Sequence, residues 1–341
     1  MHGSTIIMII FILLLYFAGK YICKENITVI SIQSNQPLML QYQVATFRTF
    51  LSEGILDYIV VIKDPPSKDF ENEYYAICRN LGLLCISVPV EEEWDRWNDR
   101  NGFELDSASS WVDKGASWLH GQAINWVWQE IVNQKYSNST ILLTEQDVFL
   151  IAPISVLAVI PQRGRVACRT DNCKSSHVFD RCQRACNMAG IRQSRLNADG
   201  YEVEYLHPSF LILDVPCLPR PTSIFFGPSS FNGSQLDTGG SIAEYISAMS
   251  EAWDEENGPR VAVCYLPQRA LGSDACFWAF RDALGVPDMF AGAVLHLSRS
   301  SGWAGPVDSG VMRDRDACLW RTLDDALANR RLPSQESPAH E

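Results

Sequence analysis

The sequence predicts an α/β fold in which helices flank a mostly parallel β-sheet. Apolar runs of strand length alternate with amphipathic segments of helix length, and most of the runs end in polar or proline-containing loops. The 341 residues are 47% hydrophobic and 20% charged, a globular composition with enough length to bury a large core. A formal net charge of −12, with no run of Lys and Arg, argues against nucleic-acid binding.

The N-terminal segment, residues 1–25, predicts membrane attachment. Residues 6–19 are uncharged and strongly apolar, which favours an uncleaved membrane anchor followed by a short stem. A signal peptide is the alternative, although the segment lacks a basic region before its apolar run. An anchor would make the chain a single-pass protein of the Golgi or ER membrane, and cleavage would make it secreted.

Cysteine usage and sequons place the rest of the chain in the lumen. Of eleven cysteines, ten follow Cys23, and glycosylation sequons begin at Asn26, Asn138 and Asn232. A cysteine-rich segment over 162–205 predicts a loop-rich insertion stapled by disulfides, with a zinc site as the alternative. Its clustered cysteines are Cys168, Cys173, Cys182 and Cys186.

The globular domain is predicted over 26–331, and its elements follow from periodicity. The first half predicts strands at 26–33, 58–62, 83–88 and 139–144, and helices at 38–53, 67–81 and 115–135. The long acidic connection 91–113 is predicted as a surface or binding loop. The second half predicts short strands at 210–213, 260–265 and 292–297, helices at 274–284 and 314–331, and a disordered tail at 332–341.

An acidic motif follows the fourth predicted strand directly. Glu145 and Asp147 are separated by one residue where a buried strand ends. Ligands of open α/β sheets bind beyond the carboxyl ends of strands, and two carboxylates there can converge on a hard cation. Taken alone, the motif is more typical of an acidic turn after a strand.

The surrounding motifs resemble the GT-A glycosyltransferases, in which a D-x-D motif follows the fourth strand of a Rossmann-like half. The resemblance spans about residues 26–303, and 118–153 is its strongest block. It is carried by five segments: His120–Asn125, Asp147–Pro153, His207–Phe210, Asp237–Gly239 and His296–Trp303.

The resemblance implies transfer of a sugar from a UDP- or GDP-sugar to a hydroxyl of a glycan, glycoprotein or glycolipid. It implies Mn²⁺ or Mg²⁺ held by Glu145, Asp147 and His296. The other residues it implicates are Asp64 and His120 near the nucleotide, Arg299 near the diphosphate and Asp237 as a candidate catalytic base.

Two further interpretations remain open, and the first of them depends on a departure from the family pattern. Glu145 replaces the usual first aspartate, which keeps the charge but lengthens the arm. A catalytically inactive luminal protein that binds nucleotide or glycan is therefore the main alternative. A secreted disulfide-rich recognition module fits the cysteine cluster but not the parallel-strand pattern before it.

Overall fold

The computed structural model describes most of the predicted globular domain. The ranges described are 26–63, 65–88, 116–159, 186–251, 261–269, 271, 276–280, 287–297 and 309–331. Within those ranges no helix has the length and the apolar character that a membrane crossing requires. The predicted anchor, the acidic connection 91–113 and the tail lie outside the described residues.

Strands and helices alternate through the first half, as predicted. The strands are β1 (Asn26–Gln33), β2 (Gly54–Ile62), β3 (Leu84–Ser87), β4 (Thr140–Glu145) and β5 (Val148–Leu150). The helices are α1 (Pro37–Phe50), α2 (Lys68–Leu81), α3 (Ala116–Val127) and the short α4 (Val156–Val159). Helix α3 continues through a π-helical turn (Trp128–Val132) into a last turn, Asn133–Lys135.

The second half contains more β-structure than the sequence predicted. Its strands are β6 (Met188–Leu196), β7 (Glu202–Asp214), β8 (Ser229–Phe231), β9 (Ser234–Leu236), β10 (Val263–Tyr265), β11 (Gln268–Arg269), β12 (Asp288–Phe290) and β13 (Val294–His296). Its α-helices are α5 (Gly240–Glu251) and α6 (Ser309–Arg331).

The central sheet has seven strands in the order β10-β6-β7-β4-β1-β2-β3. Strands β1 to β4 run parallel to one another, and β10 is parallel to β6. Strand β7 is antiparallel to both β4 and β6. The prediction of a mixed α/β fold with a mostly parallel sheet is therefore confirmed.

Both faces of the central sheet are covered, which explains the continuous apolar runs of its inner strands. Helices α1 and α2 pack on one face, where Val44, Phe47 and Ile77 are buried. Helices α3 and α5 cover the other face, where Ile124 and Ile242 are buried. Because β1 to β4 are parallel, they end together at one edge of the sheet, which we call the carboxyl edge.

A second, four-stranded sheet has the order β11-β12-β13-β5. Strand β5 follows β4 after a two-residue turn and pairs antiparallel with β13. Helix α6 packs against this sheet in a cluster that includes Phe149, Leu295 and Leu319. The turn between β4 and β5 thus joins the two sheets.

The structure corrects the prediction of a loop-rich insertion over 162–205. Residues 188–196 and 202–205 belong to strands β6 and β7 of the central sheet. This hairpin extends past the neighbouring strands and is half exposed, so it has a polar sequence without an apolar run. The part of the segment before residue 186 lies outside the described residues.

One cysteine of the predicted local cluster pairs outside it, and the other three, Cys168, Cys173 and Cys182, lie outside the described residues. Cys186 pairs with Cys264 across 78 residues, so it ties the start of β6 to β10. Cys276 pairs with Cys318, and Cys217 is also disulfide-bonded. In the described part of the chain, Cys78 and Cys85 carry free thiols.

Two predicted helices differ in part from the structure. The helix predicted at 274–284 is a 3₁₀ helix over Cys276–Phe280 among the residues described there. The last helix begins at Ser309, five residues before the predicted start at 314.

Candidate metal centre and adjoining polar cluster

Glu145, Asp147 and His296 converge at the carboxyl edge of the central sheet. Glu145 ends β4, Asp147 occupies the turn into β5, and His296 ends β13. The pairing of β5 with β13 brings His296 opposite Val148, and the Leu297 N–H donates to the Asp147 carbonyl at 3.0 Å. Residues distant in sequence thus reach one site through strand pairing.

The donor atoms of these three side chains fit a divalent cation. One ligand atom from each lies within 4.8 Å of the others, and Asp147 and His296 are each 7% exposed. Two carboxylates supply negative charge and the oxygen ligands that suit Mg²⁺ and Mn²⁺, and the imidazole adds a nitrogen ligand. The Nε2 atom of His296 lies 3.9 Å from Oδ1 of Asp147, so the group is compact.

His120 faces Glu145 from helix α3. Its Nε2 atom lies 3.0 Å from Oε1 of Glu145. Burial lowers the pKa of the His120 imidazole, and the Glu145 carboxylate opposes this shift only in part. Burial by itself raises the pKa of the Glu145 carboxyl, but the histidines around it outweigh burial and hold this pKa below its usual value. Glu145 is therefore a carboxylate at neutral pH.

Helix α3 is held close to the loop that follows β7. A Cβ atom on Gly121 would lie 2.6 Å from the Phe226 carbonyl oxygen, so only glycine permits this approach. Asn125 donates to that carbonyl at 2.7 Å and accepts from the Phe226 N–H at 2.8 Å. The glycine and asparagine of the H-G-x-x-x-N segment thus fix the helix that presents His120.

The middle residue of the acidic motif ties the turn to the loop after β1. Oε1 of Gln146 accepts from the Ser34 N–H at 3.1 Å, and its Nε2 donates to Oδ1 of Asn35 at 3.1 Å. The loops that follow β1 and β4 are therefore joined side by side at the carboxyl edge.

Asp237 belongs to a polar cluster formed with the β6–β7 hairpin. The Tyr205 hydroxyl donates to Oδ1 of Asp237 at 3.1 Å, and Nε2 of His207 lies 3.6 Å from the same oxygen. Arg195 Nη2 lies 3.8 Å from the other carboxylate oxygen. A Cβ on Gly239 would lie 2.2 Å from the Leu206 carbonyl oxygen, so glycine is required for this turn to pack on β7.

His207 lies between this cluster and the candidate metal centre. It interacts electrostatically with both Glu145 and His120. Its Nδ1 accepts from the Ser209 N–H at 3.2 Å, so in the neutral ring the proton is on Nε2, which faces Asp237. Polar side chains therefore continue from the carboxylates at the strand end to Asp237.

The predicted site residues fall into three groups. Glu145, Asp147 and His296 come together as the resemblance implied, and His120 contacts Glu145. Asp237 lies in the adjoining cluster rather than among the metal ligands. Asp64 and Arg299 lie outside the described residues.

Sequence reasoning missed the residues that support the motif. Gln43, Gln146 and Tyr205 make buried or half-buried hydrogen bonds around the site. The sequence offered one signal, because Gln43 is a long polar residue among the mostly apolar residues of the buried face of helix α1.

The sequence matches no protein family, and no sequence relative is found among curated proteins. Three solved structures with a partly similar chain path are glycosyltransferases. The mannosyltransferase PcManGT from Pyrobaculum calidifontis, in complex with GDP-Man and Mn²⁺, is 10% identical, with a TM-score of 0.31 over 89% of this chain and 74% of that chain. The mannosyltransferase Ktr4p from S. cerevisiae is 8% identical, with a TM-score of 0.26 over 55% and 56% of the two chains. An active-site mutant of LgtC is 12% identical, with a TM-score of 0.34 over 86% and 99%. These TM-scores are low, so the likeness to the three structures carries no conclusion about the function of this chain.

Proposed function

We propose that this chain is a metal-dependent glycosyltransferase of the GT-A type. It transfers a sugar from a UDP- or GDP-sugar to a hydroxyl of a glycan, glycoprotein or glycolipid. The convergence of Glu145, Asp147 and His296 at the carboxyl end of β4 is the observation that carries the proposal. A divalent ion held there, Mn²⁺ or Mg²⁺, would supply positive charge that offsets the charge of the diphosphate leaving group.

The protein side chains have distinct roles in this reaction. Glu145, Asp147 and His296 hold the cation, and His120 orients Glu145. Asp237 takes the proton of the acceptor hydroxyl as its oxygen bonds to the sugar carbon. Its exposed fraction of 19% leaves it accessible, and Tyr205 and His207 orient its carboxylate.

Two further contacts and the location complete the proposal. Asp64, two residues after β2 in the sequence, recognises the nucleotide, and Arg299 binds the diphosphate as a charged donor. The N-terminal segment anchors the chain in the Golgi or ER membrane with the catalytic domain in the lumen.

Asp147→Asn tests the role of the metal. The change keeps the size of the side chain but removes the charge that holds the cation. We expect the transfer rate to fall on the order of 10²–10³-fold, about 3–4 kcal/mol of transition-state stabilisation. Asp325→Asn, the same change at an exposed position on α6, is the matched control.

Thermal shift with a panel of UDP- and GDP-sugars provides the readout that identifies the donor. A ligand that binds the folded state raises its Tm. We expect the correct donor to raise Tm with Mn²⁺ present, and we expect EDTA or Asp147→Asn to abolish that rise. Transfer at the wild-type rate by Asp147→Asn would contradict the proposal. A metal-dependent Tm rise with no transfer to any acceptor would favour the inactive nucleotide-binding alternative.

A further inference from the structure

Gln43 lies directly beneath the candidate metal centre and is fully buried. It projects from α1, and its exposed fraction is 0%. Its Nε2 atom donates to two main-chain carbonyls, one of Glu145 and one of Val148, the latter at 2.9 Å. These two carbonyls bracket the turn that carries both carboxylates of the motif.

The oxygen of the Gln43 amide also has hydrogen-bond partners. Oε1 of Gln43 accepts hydrogen bonds from Ser31 Oγ at 2.5 Å, Gln33 Nε2 at 3.0 Å and the Tyr58 hydroxyl at 3.0 Å. Rotation of the amide by 180° would set its oxygen against two carbonyl oxygens. The donors and acceptors around Gln43 therefore fix one orientation.

The Glu145 and Val148 carbonyls, which accept from Gln43, lie where the chain passes from one sheet to the other. Strand β4 ends at Glu145, and β5 begins at Val148 at the outer position of the four-stranded sheet. A buried carbonyl without a hydrogen bond is costly, so donors from a side chain stabilise this turn; the Glu145 carbonyl also accepts from Thr144 Oγ1 at 3.4 Å. The Gln43 amide supplies donors to both ends of the turn at once.

The turn also has to resist electrostatic repulsion. Glu145 and Asp147 each carry a ligand atom within the 4.8 Å group, so their negative charges oppose one another until a cation binds. A fixed distance between the Glu145 and Val148 carbonyls limits how far the turn can open.

We infer that Gln43 is a positioning residue that pre-organises the turn for metal binding. This inference rests on the proposed metal centre and adds a residue that would not touch the cation. Outer partners of metal ligands commonly contribute 10–100-fold to metal affinity (order of magnitude). Gln43 acts one step further out, through the main chain of Glu145 and Val148.

Gln43→Met is the test, because it keeps similar volume and removes both donated hydrogen bonds. Tyr58→Phe is the matched control, since it removes one hydrogen bond on the Oε1 side and leaves the two carbonyl contacts in place. For each protein, the Kd for Mn²⁺ is measured by calorimetry without donor, and Tm is measured in parallel. We expect Gln43→Met to weaken Mn²⁺ binding about 10-fold or more. Tyr58→Phe should lower Tm and leave the Kd close to that of the wild type.

Gln43→Asn is the second variant, because its shorter arm cannot span both carbonyls but keeps the site polar. It should weaken Mn²⁺ binding in the same direction if Gln43→Met does not fold. A folded Gln43 variant with the wild-type Kd would overturn the inference and leave the proposed function intact. A wild-type chain that binds Mn²⁺ but transfers no sugar would overturn the proposed function and leave this inference standing.

Discussion

Glu145→Asp, which restores the more usual aspartate, should impair this site rather than improve it. In the structure, Glu145 contacts His120 at 3.0 Å while also lying in the 4.8 Å group with Asp147 and His296. Removing one methylene group withdraws the carboxylate by about 1.5 Å, so the His120 distance would grow to about 4.5 Å. At that separation the ion-pair contact between the two side chains is lost.

The expected magnitude follows from the loss of this outer contact. Removing a group that orients a metal ligand costs on the order of 10–100-fold in affinity, so we expect the Mn²⁺ Kd to rise about 10-fold, or about 1.4 kcal/mol. Calorimetric titration of the donor-free protein measures it, with Glu202→Asp on the exposed hairpin as the matched control. His120→Ala should weaken Mn²⁺ binding by a similar factor. The double variant, Glu145→Asp with His120→Ala, should bind little more weakly than either single variant, because both changes remove the same contact.

A Glu145→Asp protein that binds Mn²⁺ as tightly as the wild type would refute this reasoning. It would show that the longer arm is incidental and that His120 does not orient the ligand. Additive losses of Mn²⁺ affinity in the double variant would likewise show that His120 and Glu145 act independently.

Two further predictions concern the fold. Gly121→Ala should destabilise the protein by about 1–2 kcal/mol, because overpacking against the Phe226 carbonyl outweighs the gain in helix propensity of about 1 kcal/mol; an unchanged denaturation midpoint would contradict the close approach. Thiol titration of secreted ectodomain, unfolded without reductant, should detect the thiols of Cys78 and Cys85 and few others; eight or more free thiols would exclude an oxidising compartment.

The strands and helices of the first half of the fold could be predicted from the sequence because the strands are buried on both faces. Runs such as the one ending at Ile62 are apolar throughout, and the loops after them are polar. The position of Glu145 and Asp147 after the fourth strand followed from the same pattern. The three predicted metal ligands, including the distant His296 that the family resemblance implied, lie together in the structure.

The β6–β7 hairpin could not be predicted from the sequence because, unlike the inner strands, it is half exposed. Residues such as Arg192 and Glu204 pair with each other on an exposed face, so the segment has the composition of a loop. Its strand character comes from main-chain pairing with a neighbour rather than from an apolar pattern. The disulfide from Cys186 to Cys264 could not be derived from spacing for a similar reason, since it depends on which strands are adjacent.

The sequence by itself determined the fold class and the acidic motif, because local apolar periodicity and the end of a buried strand are written in consecutive residues. The tertiary structure alone decided what supports that motif. Gln43, from a helix about one hundred residues earlier, reaches the carbonyls of the turn, and His120 reaches Glu145 from α3. Such contacts depend on the packing of elements against one another, and hydrogen-bond partners that packing brings together leave no periodic pattern in the chain.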